Sequence, residues 1–100
     1  MPMMTPESKV KKKVTTLLKS LGAYYFYPVT GGFGRSGVPD IVCCFQGKFL
    51  GIECKAGDNK ATALQLKNLE EIQAAGGFAF IVNEDNFDSL ERVLRVMLNE

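Results

Sequence analysis

Apolar residues in the first quarter of the chain recur at helical spacing, with Val10, Val14, Leu17, Leu18 and Leu21 forming one stripe. Thr5, Pro6 and Glu7 ahead of that stripe predict a helix start, with threonine as cap and proline in the first turn. Gly22 is the predicted stop. The aromatic run Ala23, Tyr24, Tyr25, Phe26 and Tyr27 suits a strand, which passes through Pro28 into a glycine-rich loop over residues 31–37. Two apolar runs follow, Ile41 to Phe45 and Lys48 to Ile52, separated by Gln46-Gly47. A turn cluster from Ala56 to Asn59 leads to a second helix near Thr62, carrying Leu64, Leu66, Leu69 and Ile72 before Gly76-Gly77 ends it. Phe78 to Val82 reads as a buried fourth strand. A last helix from about Asn86 places Phe87, Leu90, Val93, Leu94, Met97 and Leu98 on one side. The pattern predicts one α/β (α+β) domain over residues 1–100. It has an αβββαβ core, a four-stranded mixed sheet flanked by helices, and an additional C-terminal helix.

Register turns this pattern into chemistry. A two-residue loop at Gln46-Gly47 pairs Phe45 with Lys48 and sets Asp40 opposite Glu53 on one face of the sheet. Strand alternation adds Lys55 to that face. Two carboxylates on one small patch repel each other unless a cation lies between them. Mg²⁺ or Mn²⁺ suits the place, with oxygen ligands from Asp40, Glu53, a backbone carbonyl such as that of Cys54, and water. Such an ion would polarise a phosphodiester and acidify the attacking water. Lys55 could orient or deprotonate that water, or neutralise charge on the phosphate. The bland alternative is an exposed salt bridge among the three residues, nearly neutral in energy.

Composition narrows the alternatives. At 100 residues, with 46% hydrophobic and 23% charged positions, one self-sufficient core is expected. The absence of histidine excludes histidine general bases, Ser-His-Asp triads and histidine-ligated zinc. Three cysteines, two of them adjacent, give neither a disulfide framework nor a Cys-x-x-Cys metal signature. With no signal-peptide order and no membrane-length apolar run, an intracellular, cytoplasmic location without a membrane partner is the expectation (the host cytoplasm if the source is viral). Net charge is only +1, but residues 1–60 hold nine basic and four acidic side chains, whereas residues 61–100 hold three and seven. The basic part could face a polyanion, or the charges could simply be solvated.

Three features carry two readings each. Gly32, Gly34 and Gly37 match the spacing of a dinucleotide fingerprint, yet Val38-Pro39 and a strand follow where that fingerprint needs a helix. No nucleotide cofactor is therefore expected. The loop could instead bring Gly34, Arg35 and Ser36 to a phosphate backbone, or merely connect two strands. Gln65 with Thr62 fits a capping box, or its amide could reach the acidic patch. Glu7 could complement the helix dipole or point into a site at the edge of the core. Lys11, Lys12 and Lys13 fall mostly on other faces, where solvated lysines are the ordinary explanation.

The runs Gly34 to Asp40, Gly51 to Ala56 and Thr62 to Gln65 together resemble the VRR-NUC (virus-type replication-repair nuclease) domain of the PD-(D/E)XK superfamily. The resemblance extends from Thr5 to Val82. It implies a restriction-endonuclease-like fold and a metal-dependent deoxyribonuclease. By resemblance Asp40 and Glu53 would bind metal, Lys55 would be the catalytic lysine, Gln65 would support the site, and Glu7 would be the first-helix acid, acting through water. DNA contacts are expected at Gly34, Arg35, Ser36, Lys60 and Lys12. The stand-alone members of this family resemble junction resolvases, which implies a homodimer making paired cuts in branched DNA such as a Holliday junction. Tyr24 to Tyr27 and the last helix are the candidate dimer surfaces. The alternatives are a nuclease of flaps or duplex ends, and a nucleic-acid-binding module without catalysis.

Overall fold

The computed structural model describes residues 4–30, 32 and 34–99; Gly31 and Phe33 of the predicted loop, and the chain ends of the predicted domain, lie outside them. Helix α1 spans Pro6–Ser20, opened by the Thr5 hydroxyl, which accepts from the Ser8 N–H at 3.1 Å. Gly22, just beyond its C-cap, takes the left-handed conformation expected of a helix stop. Strand β1 is short, Tyr24–Phe26, and is followed by β2 (Ile41–Phe45) and β3 (Lys48–Cys54). Helix α2 (Ala63–Ala74), β4 (Phe78–Val82) and α3 (Phe87–Leu98) complete the order. The sheet runs β1-β2-β3-β4, antiparallel across its first three strands, with β4 parallel to β3. A parallel neighbour needs a crossover, and α2 supplies it. This is the αβββαβ arrangement with a C-terminal helix that the periodicity predicts.

The central hairpin has the expected register. Gln46 and Gly47 both have positive φ, as a two-residue loop of matching twist demands, and Phe45 pairs with Lys48. Pairing continues to Ile41 opposite Ile52. One sheet face, through Ile41, Cys43, Phe45, Leu50, Ile52 and Cys54, buries against α1 and α3 in a single apolar cluster. That cluster draws Val10, Val14, Leu17 and Leu18 from α1, and Phe87, Leu90, Leu94 and Met97 from α3.

The opposite face bears Val42, Phe49, Gly51 and Glu53, and α2 lies across part of it. A Cβ on Gly51 would stand 2.5 Å from Ile72 Cδ1 and 2.9 Å from Pro39 Cγ, so only glycine admits this approach. Two expectations change here. Of the α2 stripe, Leu69 is buried while Leu64 and Leu66 are exposed, because the helix covers only part of one face and buries Asn68 instead. Strand β4 was expected to be buried, but as the sheet's edge it leaves Phe78 and Ile81 exposed and fully buries only Val82. Among the described residues, no helix is long and apolar enough to cross a membrane.

Candidate active site

Asp40 immediately precedes β2, at the end of the hairpin remote from its turn. The ladder stops at Ile41 and Ile52, and there the Asp40 carboxylate takes over: its Oδ2 accepts the backbone N–H of Cys54 at 2.9 Å. A side chain thus replaces the next backbone rung and fixes Asp40 beside Glu53. The backbone group that Cys54 presents to Asp40 is its N–H. Its thiol is buried and pushed up to about 12, first by burial and then by the nearby carboxylates, so it is no nucleophile.

Glu53 lies near the end of β3 and is only 1% exposed. One of its oxygens, Oε2, is buried with no hydrogen-bond partner. Its carboxyl is pushed up to about 8, first by burial, then by hydrogen bonding to Asp40 and by the charge of Asp40. Lys55 pulls it back down, and Glu7 adds a smaller upward push. Asp40, Glu53, Lys55 and Glu7 therefore share one electrostatic neighbourhood, drawn from α1, the approach to β2, and β3. Lys55 is held at the strand end by its backbone N–H, which donates to the Val82 carbonyl at 2.9 Å.

An orphaned buried carboxylate oxygen beside a second carboxylate is costly unless something cationic or protonic satisfies it. The donors suit a hard divalent ion: two carboxylates, with backbone oxygen and water completing the shell. Among the described residues, no group of three or more His, Cys, Asp or Glu side chains is gathered as a metal-binding set. The protein side chains of such a site would therefore number two, a common provision for Mg²⁺. Beside Glu7, a cleft of about 570 Å³ opens between the start of α1 and the turn after Lys55, lined by Ala56, Gly57, Asn59 and Glu84. Glu84 there accepts the Gly57 N–H at 3.0 Å, and with its own backbone N–H this holds its carboxyl below the usual range.

The other predicted residues are placed less centrally. Gln65 occupies the capping box: its Oε1 accepts the Thr62 N–H at 2.8 Å, and its own N–H donates to the Thr62 hydroxyl at 3.2 Å. Arg35 pairs with Glu71 of α2 at 3.0 Å, both side chains well exposed. That pair borders a cavity of about 700 Å³ whose apolar wall includes Phe26, Pro39, Val42 and Phe49. The Ser36 carbonyl accepts from the Asn68 amide at 3.1 Å, tying the glycine loop to α2. Gly34, Lys12 and Lys60 are exposed, as is Tyr24 on the outer strand.

One residue was missed. Lys11 is not simply solvated: its Nζ lies 3.6 Å from Asp40 Oδ1 and 3.8 Å from Glu7 Oε2. The signal was present in the sequence, since Glu7 and Lys11 are spaced as an i,i+4 ion pair on the helix stripe nearest the acids.

No protein-family model matches the chain. It is similar to a protein named "Putative nuclease p44" of Acyrthosiphon pisum secondary endosymbiont phage 1, with 28% identity over 85 residues, covering 84% of this chain and 89% of the relative.

Proposed function

We propose that this chain is a divalent-metal-dependent DNA endonuclease that hydrolyses phosphodiester bonds. The observation that carries this reading is Glu53, a buried carboxyl with one unpartnered oxygen, set against Asp40. A relative named as a nuclease, aligned over most of both chains, points the same way. Asp40 and Glu53, with the Cys54 carbonyl, would hold Mg²⁺ or Mn²⁺, and Glu7 would reach it through water. When bound, the ion supplies Lewis-acid polarisation of the phosphate and a more acidic water. The chain's own residues do the rest. The Cys54 N–H fixes Asp40, which leaves one oxygen facing α1. Burial keeps Glu53 in a water-poor setting where its charge acts strongly once ionised. Lys55 either neutralises charge growing on the phosphate or, when deprotonated, takes the proton of the attacking water. Gln65 supports the site by fixing the first turn of α2.

For substrate we favour branched duplex DNA such as a four-way junction, cut by a homodimer whose two-fold axis relates paired incisions. Flaps and duplex ends are the alternatives within the same chemistry. The test incubates the protein with Mg²⁺ or Mn²⁺ and four-way, three-way, flap and linear DNAs. Symmetric nicks on the four-way junction are expected, and preferential trimming of linear ends would overturn the substrate choice.

A second reading has one observation in its favour. Lys11 sits on Asp40, as it would in a purely structural salt-bridge cluster of a DNA-binding module. Glu53→Ala separates the two: catalysis requires loss of metal-dependent cleavage with the metal-free binding of DNA, measured in EDTA, retained. An unchanged cleavage rate would remove Glu53 from the chemistry.

A further inference from the structure

Each member of the acidic pair faces its own ammonium. Lys55 acts on Glu53 from the same strand end, whereas Lys11 reaches Asp40 from α1. Of the consecutive lysines Lys11, Lys12 and Lys13, only Lys11 is directed at the acids; Lys13 lies over the Phe87 ring at 4.3 Å, and Lys12 is exposed. The Lys11 contact is also a loose one. At 3.6 Å it exceeds the roughly 2.7–2.9 Å of a charge-assisted hydrogen bond. The two side chains keep 31% and 22% of their exposure, so parting them strands no buried charge. The other oxygen of Asp40 is held rigidly by the Cys54 N–H. The carboxylate therefore stays in place whether or not Lys11 does.

We propose that Lys11 is a positioning residue that serves as the built-in counter-cation of Asp40 in the metal-free protein and competes with a divalent ion for that carboxylate. The proposal rests on the metal-centre reading above. A single flexible ammonium lies within 4 Å of both Asp40 and Glu7, offsets one of their two negative charges when no ion is bound, and so limits the repulsion that an empty acidic site suffers. It yields readily because a loose, half-exposed contact is worth little. Lys55 has a different place, just beyond the end of β3 and two residues from Glu53. The two lysines of the site thus have separable roles: Lys11 sets how tightly the site takes its ion, and Lys55 serves the reacting phosphate.

The test is Mn²⁺ binding to the full chain without DNA, followed by calorimetry and by the electron-paramagnetic signal of free Mn²⁺. Lys11→Gln should tighten binding on the order of fivefold to tenfold, the scale of one half-exposed charge contact in water. Lys11→Arg should restore affinity close to that of the unaltered protein. Lys12→Gln, the same charge change on an exposed neighbouring position, should leave affinity unchanged. If Lys11→Gln binds Mn²⁺ no tighter, or Lys12→Gln tightens binding equally, Lys11 is not a specific competitor and the proposal fails. If the unaltered protein binds no Mn²⁺, the metal-centre reading fails and takes this proposal with it.

Discussion

Glu53 makes the metal-free protein lose stability as pH rises, and the sign follows from its environment. The folded-state carboxyl is pushed up to about 8 from an ordinary 4.5 because burial and Asp40 both disfavour its charged form. In the unfolded chain it ionises near its ordinary value. Between these limits the folded state holds a proton that the unfolded state has released, so rising pH favours unfolding. The contribution is fully present below about pH 4.5 and is lost as pH climbs through about 8. At about 1.4 kcal/mol per pKa unit, the loss across that window is on the order of 5 kcal/mol. For a domain of this size that corresponds to a melting temperature lower by roughly 20–40 °C. Urea or thermal unfolding in EDTA at pH 5, 6.5, 8 and 9 measures it. Glu53→Gln keeps the shape without the charge, so it should flatten this pH dependence and exceed the unaltered protein in stability at pH 9. If both proteins show the same slope above pH 6, Glu53 is not the protonated buried acid described above.

Metal binding should release that proton. Near pH 7, Mn²⁺ titrations in buffers of different ionisation enthalpy should show about one proton leaving per site, because the ion requires the carboxylate form. Gly51→Ala should destabilise by about 1–3 kcal/mol in chemical unfolding, since its Cβ would press on Ile72 and Pro39. Gln65→Ala removes one arm of the capping box and should cost about 1 kcal/mol. If nuclease activity at a temperature well below unfolding falls severalfold further in that variant, Gln65 does more than cap its helix.

The sheet and the acidic pair were legible because both follow from short-range rules. Gln46-Gly47 can form only a few loop types, and once Phe45 faces Lys48 the alternation of side chains carries Asp40 to Glu53. What the sequence obscured depends on how elements lie over one another. Leu64 and Leu66 stand two residues apart and so lie on different sides of α2, which crosses the sheet so that Asn68 and Leu69 face inward. The apolar run of β4 resembles a central strand, but its place at the sheet edge is set by the α2 crossover and not by its own residues. The glycine loop offers Arg35 to a phosphate backbone as far as the sequence shows, and only the packing of α2 against the loop brings Glu71 to 3.0 Å from it. Lys11 escaped notice for a related reason. Its neighbours Lys12 and Lys13 make it look like part of a solvated run, and only the docking angle of α1 sets it over Asp40.

A charge count at the site leads to a last prediction. Without metal, and with Glu53 protonated, Asp40 and Glu7 are balanced by Lys11 and Lys55, so this centre carries no net charge, and Glu84 on the wall of the cleft adds a negative one. The whole chain, at +1, adds no general attraction. A divalent ion that ionises Glu53 turns the centre net positive by one unit, at the place where a phosphate would have to sit. DNA affinity should therefore depend on metal before any bond is cut. Ca²⁺, which accepts the same oxygen ligands in looser geometry, is a suitable probe. Fluorescence anisotropy of a labelled four-way junction, with its integrity checked afterwards on a denaturing gel, should show binding about tenfold tighter in Ca²⁺ than in EDTA at equal ionic strength. The salt dependence should also steepen, because one more phosphate is neutralised. Equal affinity in EDTA and Ca²⁺ would place DNA binding on the exposed basic positions such as Lys12 and Lys60, with the acidic centre contributing nothing to it.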